Sequence, residues 1–405
     1  MATKLITAQD KYYDYLKMLK ENYTKIVRLE WLNSDGTVRQ AITGDFIAQG
    51  TLNVNFNNGV RRTATITIDN QNNRYNFNIN QLWFNQQFRL KMGLVLSDGE
   101  PYYINQGVFL IKDPNRDIKP TTRFLTLNMV DKWSNLNGDL FGKLEATYQI
   151  PRQTNIFTAM RSILHMDMGN GQPIDNMDPV FTTYYNDKRI TTVDGKEEKW
   201  IETPYTLTKD GESDTYGGIM TELSDMLVSS IGYDRNGALR VEATQENIRD
   251  IDKEVLWNFK PTEQEFGGYT ETIKNTEVKN VIVVCGATNN SKQAKGVAKN
   301  TNPNSPTCIQ RIGERVERII DDNYVSDKQC EDYAKWKLKC SSILQSSRTI
   351  DSTQLFHLQE NRLVTITEPY GDKTTEPYLI NSFTLPLNTT DKMSINVTSI
   401  NKIAE

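Results

Sequence analysis

The feature that most constrains this chain is a period-two alternation of apolar and polar residues between residues 25 and about 140. In the run at 62–68, Ala64, Ile66 and Ile68 alternate with threonines. Successive side chains of a strand point to opposite faces, so this pattern predicts strands with one apolar face. Asn-Gly and Asp-Gly pairs separate several of the runs, which indicates antiparallel connections. We therefore expect residues 25–145 to form an antiparallel β-barrel or sandwich.

An amphipathic helix is predicted ahead of this region, over residues 8–22 of an N-terminal arm at 1–24. Its apolar residues recur at the helical spacing and form one face, namely Tyr12, Tyr15, Leu16 and Leu19. A single helix with one apolar stripe must pack on something, either its own domain or a neighbouring subunit.

Residues 146–265 mix helical and strand patterns and predict an α/β domain. Thr154 is the expected N-cap of a first helix, whose apolar stripe consists of Ile156, Ala159, Met160, Ile163 and Leu164. A second helix is expected over about 219–230, followed by a hairpin that turns at Asn236-Gly237. The polar insertion at 168–218 predicts a long loop with short strands.

Strand patterns return over residues 266–405, for which we expect a second β-barrel domain. The apolar run at 280–284 predicts a strand buried on both faces, and three alternating strands follow at 363–367, 378–385 and 393–400. Ser326 and Gln329 form a capping-box pattern that opens a helix over 327–344. Residues 287–307 contain almost no large apolar side chain and predict a mobile loop.

The length of the chain supports several domains rather than one. Its 405 residues exceed the size of about 250–300 residues at which a single hydrophobic core stops growing. The predicted fold class is therefore α+β and β-rich, with two β-barrel domains and an intervening α/β domain.

Composition restricts the cellular setting. The net charge of −4 disfavours a general phosphate-binding surface. We expect no stable membrane insertion, because no run approaches about 18 apolar residues, and no secretory signal, because the N-terminus lacks an apolar core. The cysteines lack the spacing of a metal site and predict free thiols in a reducing cytoplasm; they are Cys285, Cys308, Cys330 and Cys340.

Residues that carry chemistry are scarce. The two histidines, His165 and His357, lie in no nucleophile or metal motif and are interpreted as structural. Asp167, Asp175 and Asp178 form either a weak Ca²⁺ loop or, as we prefer, a solvated loop, because their spacing fits no known cage. No nucleotide-binding motif occurs. We therefore predict no catalytic, cofactor-binding or metal-binding residues and no cofactor.

Two further features carry alternative interpretations. Arg61 and Arg62 open a strand after a turn, where they contact DNA phosphates or a partner's carboxylate, or form a solvated strand end, which we favour. Trp200, Tyr184 and Tyr185 lie in the polar insertion, where they stack on sugars or, as we prefer, anchor a subunit contact.

The order of these segments resembles that of the baseplate hub, or tail hub, proteins of tailed bacteriophages and related contractile injection particles. The resemblance runs over nearly the whole chain. It rests on RTATITIDN at 62–70, GVFLIKDP at 107–114, DKWSNLNG at 131–138, YQIPRQTNI at 148–156, the helix and hairpin at 223–242, NVIVVCG at 280–286, NRLVTI at 361–366, YLINS at 378–382 and KMSI at 392–395.

The resemblance implies two tube-type β-barrel domains per copy and a homotrimeric ring. Such a ring joins the six-fold tail tube to a three-fold tip or spike and lines the DNA ejection channel. The implied partners are the tail tube and distal tail proteins, tip, spike or tail fibre proteins, the tape measure protein and DNA in passage. The implied location is the distal end of the virion tail, after synthesis in the bacterial cytoplasm.

Three alternatives remain open at this point. A distal tail protein would form a hexameric ring and carry one barrel rather than two. A tail-tip peptidoglycan hydrolase would need a pair of carboxylates, and such a pair can come from distant positions. A carbohydrate-binding receptor protein would use the aromatic residues of the polar insertion. The sequence favours the non-enzymatic hub.

Overall fold

A computed structural model describes most of the chain. The described residues are 8–43, 47–71, 75–78, 82–183, 189–191, 197–243, 255–260, 266–289, 292–322, 324–368, 374–387 and 391–400. Strands hold 47% of the residues and helices 16%, which confirms the prediction of a β-rich α+β fold.

The first part of the described chain is an antiparallel sheet. Its strands are Lys25–Leu32 (β1), Val38–Thr43 (β2), Ile47–Asn55 (β3), Arg62–Asp69 (β4), Gln87–Val95 (β5), Pro101–Ile118 (β6) and Arg123–Asp131 (β7). They pair in the order β3-β4-β7-β6-β5-β1-β2. The predicted alternation is seen in β4, where Ala64, Ile66 and Ile68 are buried, and in β7, where Leu125 and Leu127 are buried.

The middle of the chain contains short strands and two helices. The strands are Tyr148–Ile150 (β8), Val180–Thr182 (β9), Arg189–Thr191 (β10), Glu197–Lys199 (β11), Leu207–Lys209 (β12), Ser229–Tyr233 (β13) and Leu239–Ala243 (β14). Following Ala8–Met18 (α1), the helices are Ile156–Leu164 (α2) and Tyr216–Met226 (α3). The antiparallel pair β13–β14 confirms the predicted hairpin. The short strands of the polar insertion are also present.

The last part of the chain supplies nine more strands. They are Val255–Phe259 (β15), Phe266–Ile273 (β16), Val281–Asn289 (β17), Lys292–Lys299 (β18), Val316–Ile320 (β19), Ser346–Ser352 (β20), Leu363–Thr367 (β21), Thr375–Pro386 (β22) and Met393–Ser399 (β23). Two helices, Ile309–Ile312 (α4) and Asp327–Ser341 (α5), interrupt them.

One pairing joins the two ends of the chain. Strand β22 pairs antiparallel with β3, with Phe383 opposite Val54 and Leu385 opposite Leu52. The large sheet consequently runs in the order β16-β20-β23-β22-β3-β4-β7-β6-β5-β1-β2, and β15 pairs with β21, which pairs with β22. Its apolar residues form one core cluster, and Tyr15 and Leu19 of the N-terminal region pack into it. The first β-rich region and the strands β15, β16 and β20 to β23 of the last region therefore form one continuous sheet, whereas β18, β17 and β19 form a separate three-stranded sheet.

Two helix predictions are wrong in their boundaries. Helix α2 is capped by Asn155, whose side chain accepts from the Thr158 N–H, whereas Thr154 donates its hydroxyl to the Pro151 carbonyl. Helix α3 begins after Thr215, earlier than expected, and ends at Met226. The predicted end at 230 fails because the chain turns at Val228, which has a positive φ of 51°, and then enters β13.

The ends of the other two predicted helices also fall short. Helix α1 stops at Met18 rather than at residue 22. Helix α5 has the predicted capping box, with Ser326 accepting from the Gln329 N–H and the Gln329 side chain returning to the Ser326 N–H, but it stops at Ser341. A capping box stabilises only the first turn, so the sequence pattern locates a start better than an end.

The predicted mobile loop at 287–307 is wrong. Strand β17 continues to Asn289, and β18 pairs with it antiparallel. The buried positions of β18 are Ala294, Gly296 and Ala298, which lie under helix α5. A Cβ at Gly296 would lie 2.3 Å from the backbone of α5, so only small residues fit. The strand therefore lacks the large apolar side chains that would have identified it.

Candidate functional site

Two adjacent buried arginines connect distant parts of the chain. Arg61 and Arg62 are each 1% exposed, so the predicted solvated strand end is wrong. Arg61 Nη1 lies 2.9 Å from Glu242 Oε1, and Arg62 Nη2 donates to Glu360 Oε2. The alternative of a carboxylate partner is correct in chemistry, but both carboxylates belong to this chain.

The backbone of the two arginines is held by a third carboxylate. Asp131 Oδ2 accepts from the N–H of Arg61 at 2.8 Å and from that of Arg62 at 2.9 Å, and Oδ1 accepts from the Trp133 N–H at 3.1 Å. Burial raises the pKa of Asp131 to about 6, against the lowering effect of these donors and of the Arg62 charge. Asp131 thus ties the start of β4 to the end of β7.

Glu242 at the end of β14 is shared by two guanidinium groups. Besides Arg61, Arg362 Nη1 lies 3.2 Å from Glu242 Oε2, and Asn361 Nδ2 donates to the same oxygen at 3.2 Å. Burial opposes ionisation of Glu242, but the charges of Arg61 and Arg362 outweigh it and hold the pKa of this carboxyl below its ordinary value.

We name the set of six charged residues the ion-pair junction; its members are Arg61, Arg62, Asp131, Glu242, Glu360 and Arg362. Backbone carbonyl groups accept the remaining hydrogen bonds around it. Arg62 Nη1 donates to the Gln106 carbonyl at 2.9 Å, and the Gln106 side chain donates to the Phe356 carbonyl at 2.8 Å. The junction therefore links β4, β6, β14 and the segment before β21. Separating these elements would leave charges buried without partners, which is costly. The arrangement fixes their relative positions.

Sequence reasoning missed Glu242, Glu360 and Asp131 as members of this junction. Glu242 is 181 positions and Glu360 298 positions from its arginine partner. No local spacing rule relates residues so far apart. The one available signal was a pair of arginines beginning an otherwise apolar-alternating strand.

The two histidines lie in opposite environments. His357 is 3% exposed, its Nδ1 lies 3.1 Å from the Tyr15 hydroxyl, and burial lowers the pKa of its imidazole to about 4. His165 is the C-cap of α2 and is exposed, with Nε2 3.5 Å from Asp178 Oδ1. Neither lies in the geometry of a nucleophile–base pair with the residues just named.

The structure does not bring the three aspartates of the insertion together. Asp167 Oδ1 accepts from the N–H groups of Gly169, Asn170 and Gly171, which closes a turn. Asp175 pairs with Lys132 at 2.6 Å, and Asp178 pairs with Arg161 at 3.1 Å; both distances are N to O. Within the described part of the chain, no group of three or more His, Cys, Asp or Glu residues is placed to hold a metal ion.

The aromatic and thiol candidates are largely internal. Trp200 is 5% exposed and packs in one cluster with Val228, Tyr324 and Trp336, so neither sugar stacking nor a subunit contact fits it. Tyr184 and Tyr185 lie outside the described residues. The four cysteines are buried and free, as expected, and burial raises the pKa of the Cys330 thiol to about 11.

The large sheet has three terminal strands. Among the described strands, β2 pairs only with β1, β16 only with β20 and β15 only with β21. Strand β15 is largely buried or half-buried, whereas β2 and β16 are largely exposed, with Val38 of β2 at 41% and Ile273 of β16 at 59%. Unpaired edge strands can accept another strand, so the exposed edges β2 and β16 are the candidate surfaces for assembly. None of the helices described here is long and apolar enough to cross a bilayer.

The fold matches solved tail proteins over almost its whole length. A tail protein from Neisseria meningitidis MC58 aligns with a TM-score of 0.56 and 9% identity, covering 94% of this chain and 97% of that one. The 43 kDa tail protein of prophage MuSo2 from Shewanella oneidensis aligns at 0.57 and 11%, covering 93% and 98%. Prophage tail protein gp18 from Listeria monocytogenes EGD-e aligns at 0.54 and 10%, covering 93% and 95%.

Sequence comparison adds no relative to these structures. No protein-family model matches the chain, and no curated protein matches it significantly. Fold can persist where identity is near 10%, and the alignments extend from end to end of both partners. The chain therefore has the fold of these phage and prophage tail proteins, as its resemblance to tail hub proteins led us to expect.

Proposed function

We propose that this protein is a non-enzymatic structural component of a phage tail. In this proposal it is the baseplate or tail hub, a homotrimeric ring that joins the six-fold tail tube to a three-fold tip or spike. The ring lines the channel through which DNA is ejected. Its partners are the tail tube and distal tail proteins, the tip, spike or fibre proteins and the tape measure protein, and it resides at the distal end of the virion tail.

The observation that carries the proposal is the end-to-end agreement with tail proteins. Each of the three solved tail proteins is covered over 95% or more of its own length, and this chain over 93% or more. A fold shared only through one common barrel would match a fraction of each chain. Fold alone does not determine function, so the assembly itself must be tested.

Physical features of the sheet support ring formation. Edge strands that remain open favour uncontrolled aggregation unless something covers them. A contact between two different edges of neighbouring copies is heterologous, and such contacts close into a ring when the rotation between copies is a simple fraction of a turn. We propose that the β2 edge of one copy meets the β16 edge of the next.

The ion-pair junction supports the same proposal. A ring transmits load between subunits only if each subunit keeps its shape. The junction ties strands of the large sheet to the β14 hairpin through charges that resist separation. We propose that it keeps the two assembly edges at a fixed angle within one copy.

The test is the mass of the purified chain by sedimentation equilibrium over a wide concentration range. We expect a trimer, and we expect the double variant Val38→Lys/Ile273→Lys to dissociate it, because charged side chains block edge pairing. Ile118→Lys is the matched control, since Ile118 is 61% exposed on β6, inside the sheet. A stable monomer at high concentration would overturn the proposal.

Two other outcomes would redirect it. A hexamer would support the distal tail protein instead of the hub. Clearing of a peptidoglycan gel by the purified protein, abolished by replacing a single acidic residue, would make the protein a hydrolase.

A further inference from the structure

Helix α5 packs on one face of the sheet formed by β18, β17 and β19. Helix α5 packs over Ile282 and Val284 of the central strand and over the small residues of β18. Strand β17 pairs antiparallel with β18 and parallel with β19, so the registers of both pairs are known. Alternation then places every second residue on the opposite face, which we call the outer face.

The outer face consists of three rows that cross the sheet. Residues opposite one another in the registers form the rows, which are Lys299-Val281-Val316, Val297-Val283-Arg318 and Lys295-Cys285-Ile320. Each row therefore contains one cation, at one edge or the other, and two apolar or thiol side chains. No acidic residue belongs to the rows.

The apolar residues of this face are exposed at both edges. Val297 is 43%, Val316 52% and Ile320 68% exposed, whereas Val281 and Cys285 of the central strand are 3% and 2% exposed. A strand with an uninterrupted apolar run is typical of sheets that are covered on both faces. The sequence of β17 has that character, and Val281 and Cys285 are buried on the outer face as Ile282 and Val284 are under α5. The apolar side chains left exposed on the outer face are those of the flanking strands β18 and β19, and these are the ones another protein could cover.

The cations of the outer face are under-paired. Lys299 Nζ lies 2.8 Å from Glu314 Oε1 at the margin of the sheet. In the described part of the chain, the side chains of Lys295 and Arg318 have no ion-pair partner. A ligand with carboxylates on both sides of an apolar stripe would complement this arrangement.

We propose that the outer face docks an acidic amphipathic helix of another protein. Three strands spaced about 4.8 Å apart present a surface about 10 Å wide, which is the diameter of a helix. Helix α5 already packs in this way on the opposite face. The apolar stripe of the incoming helix would cover Val283, Val297 and Ile320, and its flanking carboxylates would pair with Lys295 and Arg318.

The helices of a second copy do not fit the outer face. Helix α1 carries two aspartates and two lysines, and helix α5 carries four lysines against three acidic residues. Helix α3 carries Glu222 and Asp225 and no basic residue, but its apolar residues are buried in the core of its own region. A nucleic acid is disfavoured as the ligand. Exposed valine and isoleucine side chains lie between the cations, and they make no favourable contact with phosphate groups. The proposal is independent of the proposed function, because it concerns the isolated chain.

The test measures binding of labelled synthetic peptides to the purified full-length chain by fluorescence anisotropy. The probe is a helical peptide with leucines on one face and glutamates beside them, and its counterpart has lysines in place of the glutamates. We expect the acidic peptide to bind, more weakly as salt is added, and the lysine peptide not to bind. We expect Arg318→Glu/Ile320→Ser to weaken binding by about tenfold or more.

A matched control separates this surface from general charge effects. Ile118→Ser/Lys119→Glu changes the same residue classes and the same net charge at two exposed positions, the last residue of β6 and the residue after it, and should leave binding unchanged. If the first double variant melts early, the single variant Ile320→Ser replaces it. The proposal is overturned if the acidic peptide fails to bind, if the lysine peptide or a DNA oligonucleotide binds as well, or if both double variants behave alike. A drop in oligomer mass caused by Arg318→Glu/Ile320→Ser would assign the face to a second copy and also overturn it.

Discussion

The buried imidazole of His357 makes the stability of this protein sensitive to acid. The ring contacts Tyr12, Tyr15 and Trp257, and burial lowers its pKa from 6.5 to about 4. In the unfolded chain the pKa returns to about 6.5, so between these two values the unfolded state binds a proton that the folded state does not. The contribution of His357 to stability is therefore complete above pH 6.5 and is lost as the pH falls towards 4.

The size of this effect follows from the two pKa values. Between these two pKa values the free energy of unfolding falls by about 1.4 kcal/mol for each pH unit of acidification, so the full loss of stability is about 3 kcal/mol. At about pH 4.5 most of it, about 2.5 kcal/mol, has been lost. The side chain is 3% exposed, so solvent screening does not reduce the figure appreciably.

The assay is urea unfolding at about pH 7.5 and about pH 4.5, followed by tryptophan fluorescence. His357→Gln should be less stable than the natural chain at the higher pH by about 1–2 kcal/mol, because it loses ring packing. It should then lose about 2.5 kcal/mol less than the natural chain on acidification. His165→Gln is the control, since His165 is exposed, and should follow the natural chain. Equal acid losses for the natural chain and His357→Gln would refute the argument.

Two further substitutions test the ion-pair junction and the packing of β18. Arg62→Met should destabilise the chain by about 3–5 kcal/mol, since it leaves Glu360 buried without its arginine, while Lys119→Met, in an exposed pair, should change stability by less than about 1 kcal/mol. Gly296→Val should cost about 1–3 kcal/mol or prevent folding, because its side chain meets the α5 backbone, whereas Val297→Ala on the outer face should be nearly neutral. Calorimetric melting temperatures measure all four. Equal shifts within either pair would contradict the corresponding assignment.

The strands of the large sheet could be predicted because burial on one face leaves a period-two signal. That signal is strong in β4 and β7, where Ala64, Ile66 and Ile68 and then Leu125, Leu127 and Met129 are apolar and buried at every second position. It fails in β18, because the close approach of α5 restricts the buried positions to alanine and glycine. Hydrophobic patterning detects large side chains, and here the packing requires small ones.

The candidate site was less accessible to sequence reasoning than the fold. Arg61 and Arg62 form a recognisable pair in the sequence, and a strand end beside an Asn-Gly turn is usually solvated, but both side chains are buried and the predicted solvated strand end is wrong. Their burial depends on carboxylates that only the tertiary structure brings near. The sequence also does not show that β2 and β16 are edge strands, because the pairing order of strands is a property of the whole chain.

The pairing of β3 with β22 has a consequence for biosynthesis. Asn53 and Thr384, which hydrogen-bond across it, are 331 positions apart. At about 5–20 residues per second, a ribosome needs roughly 15–65 s to make the chain between them. During that time β3 has been synthesised but its partner strand β22 has not. The free edge of β3 can then pair with strands of other nascent chains on neighbouring ribosomes. We therefore expect high-level expression of this protein to depend on chaperones that shield this edge.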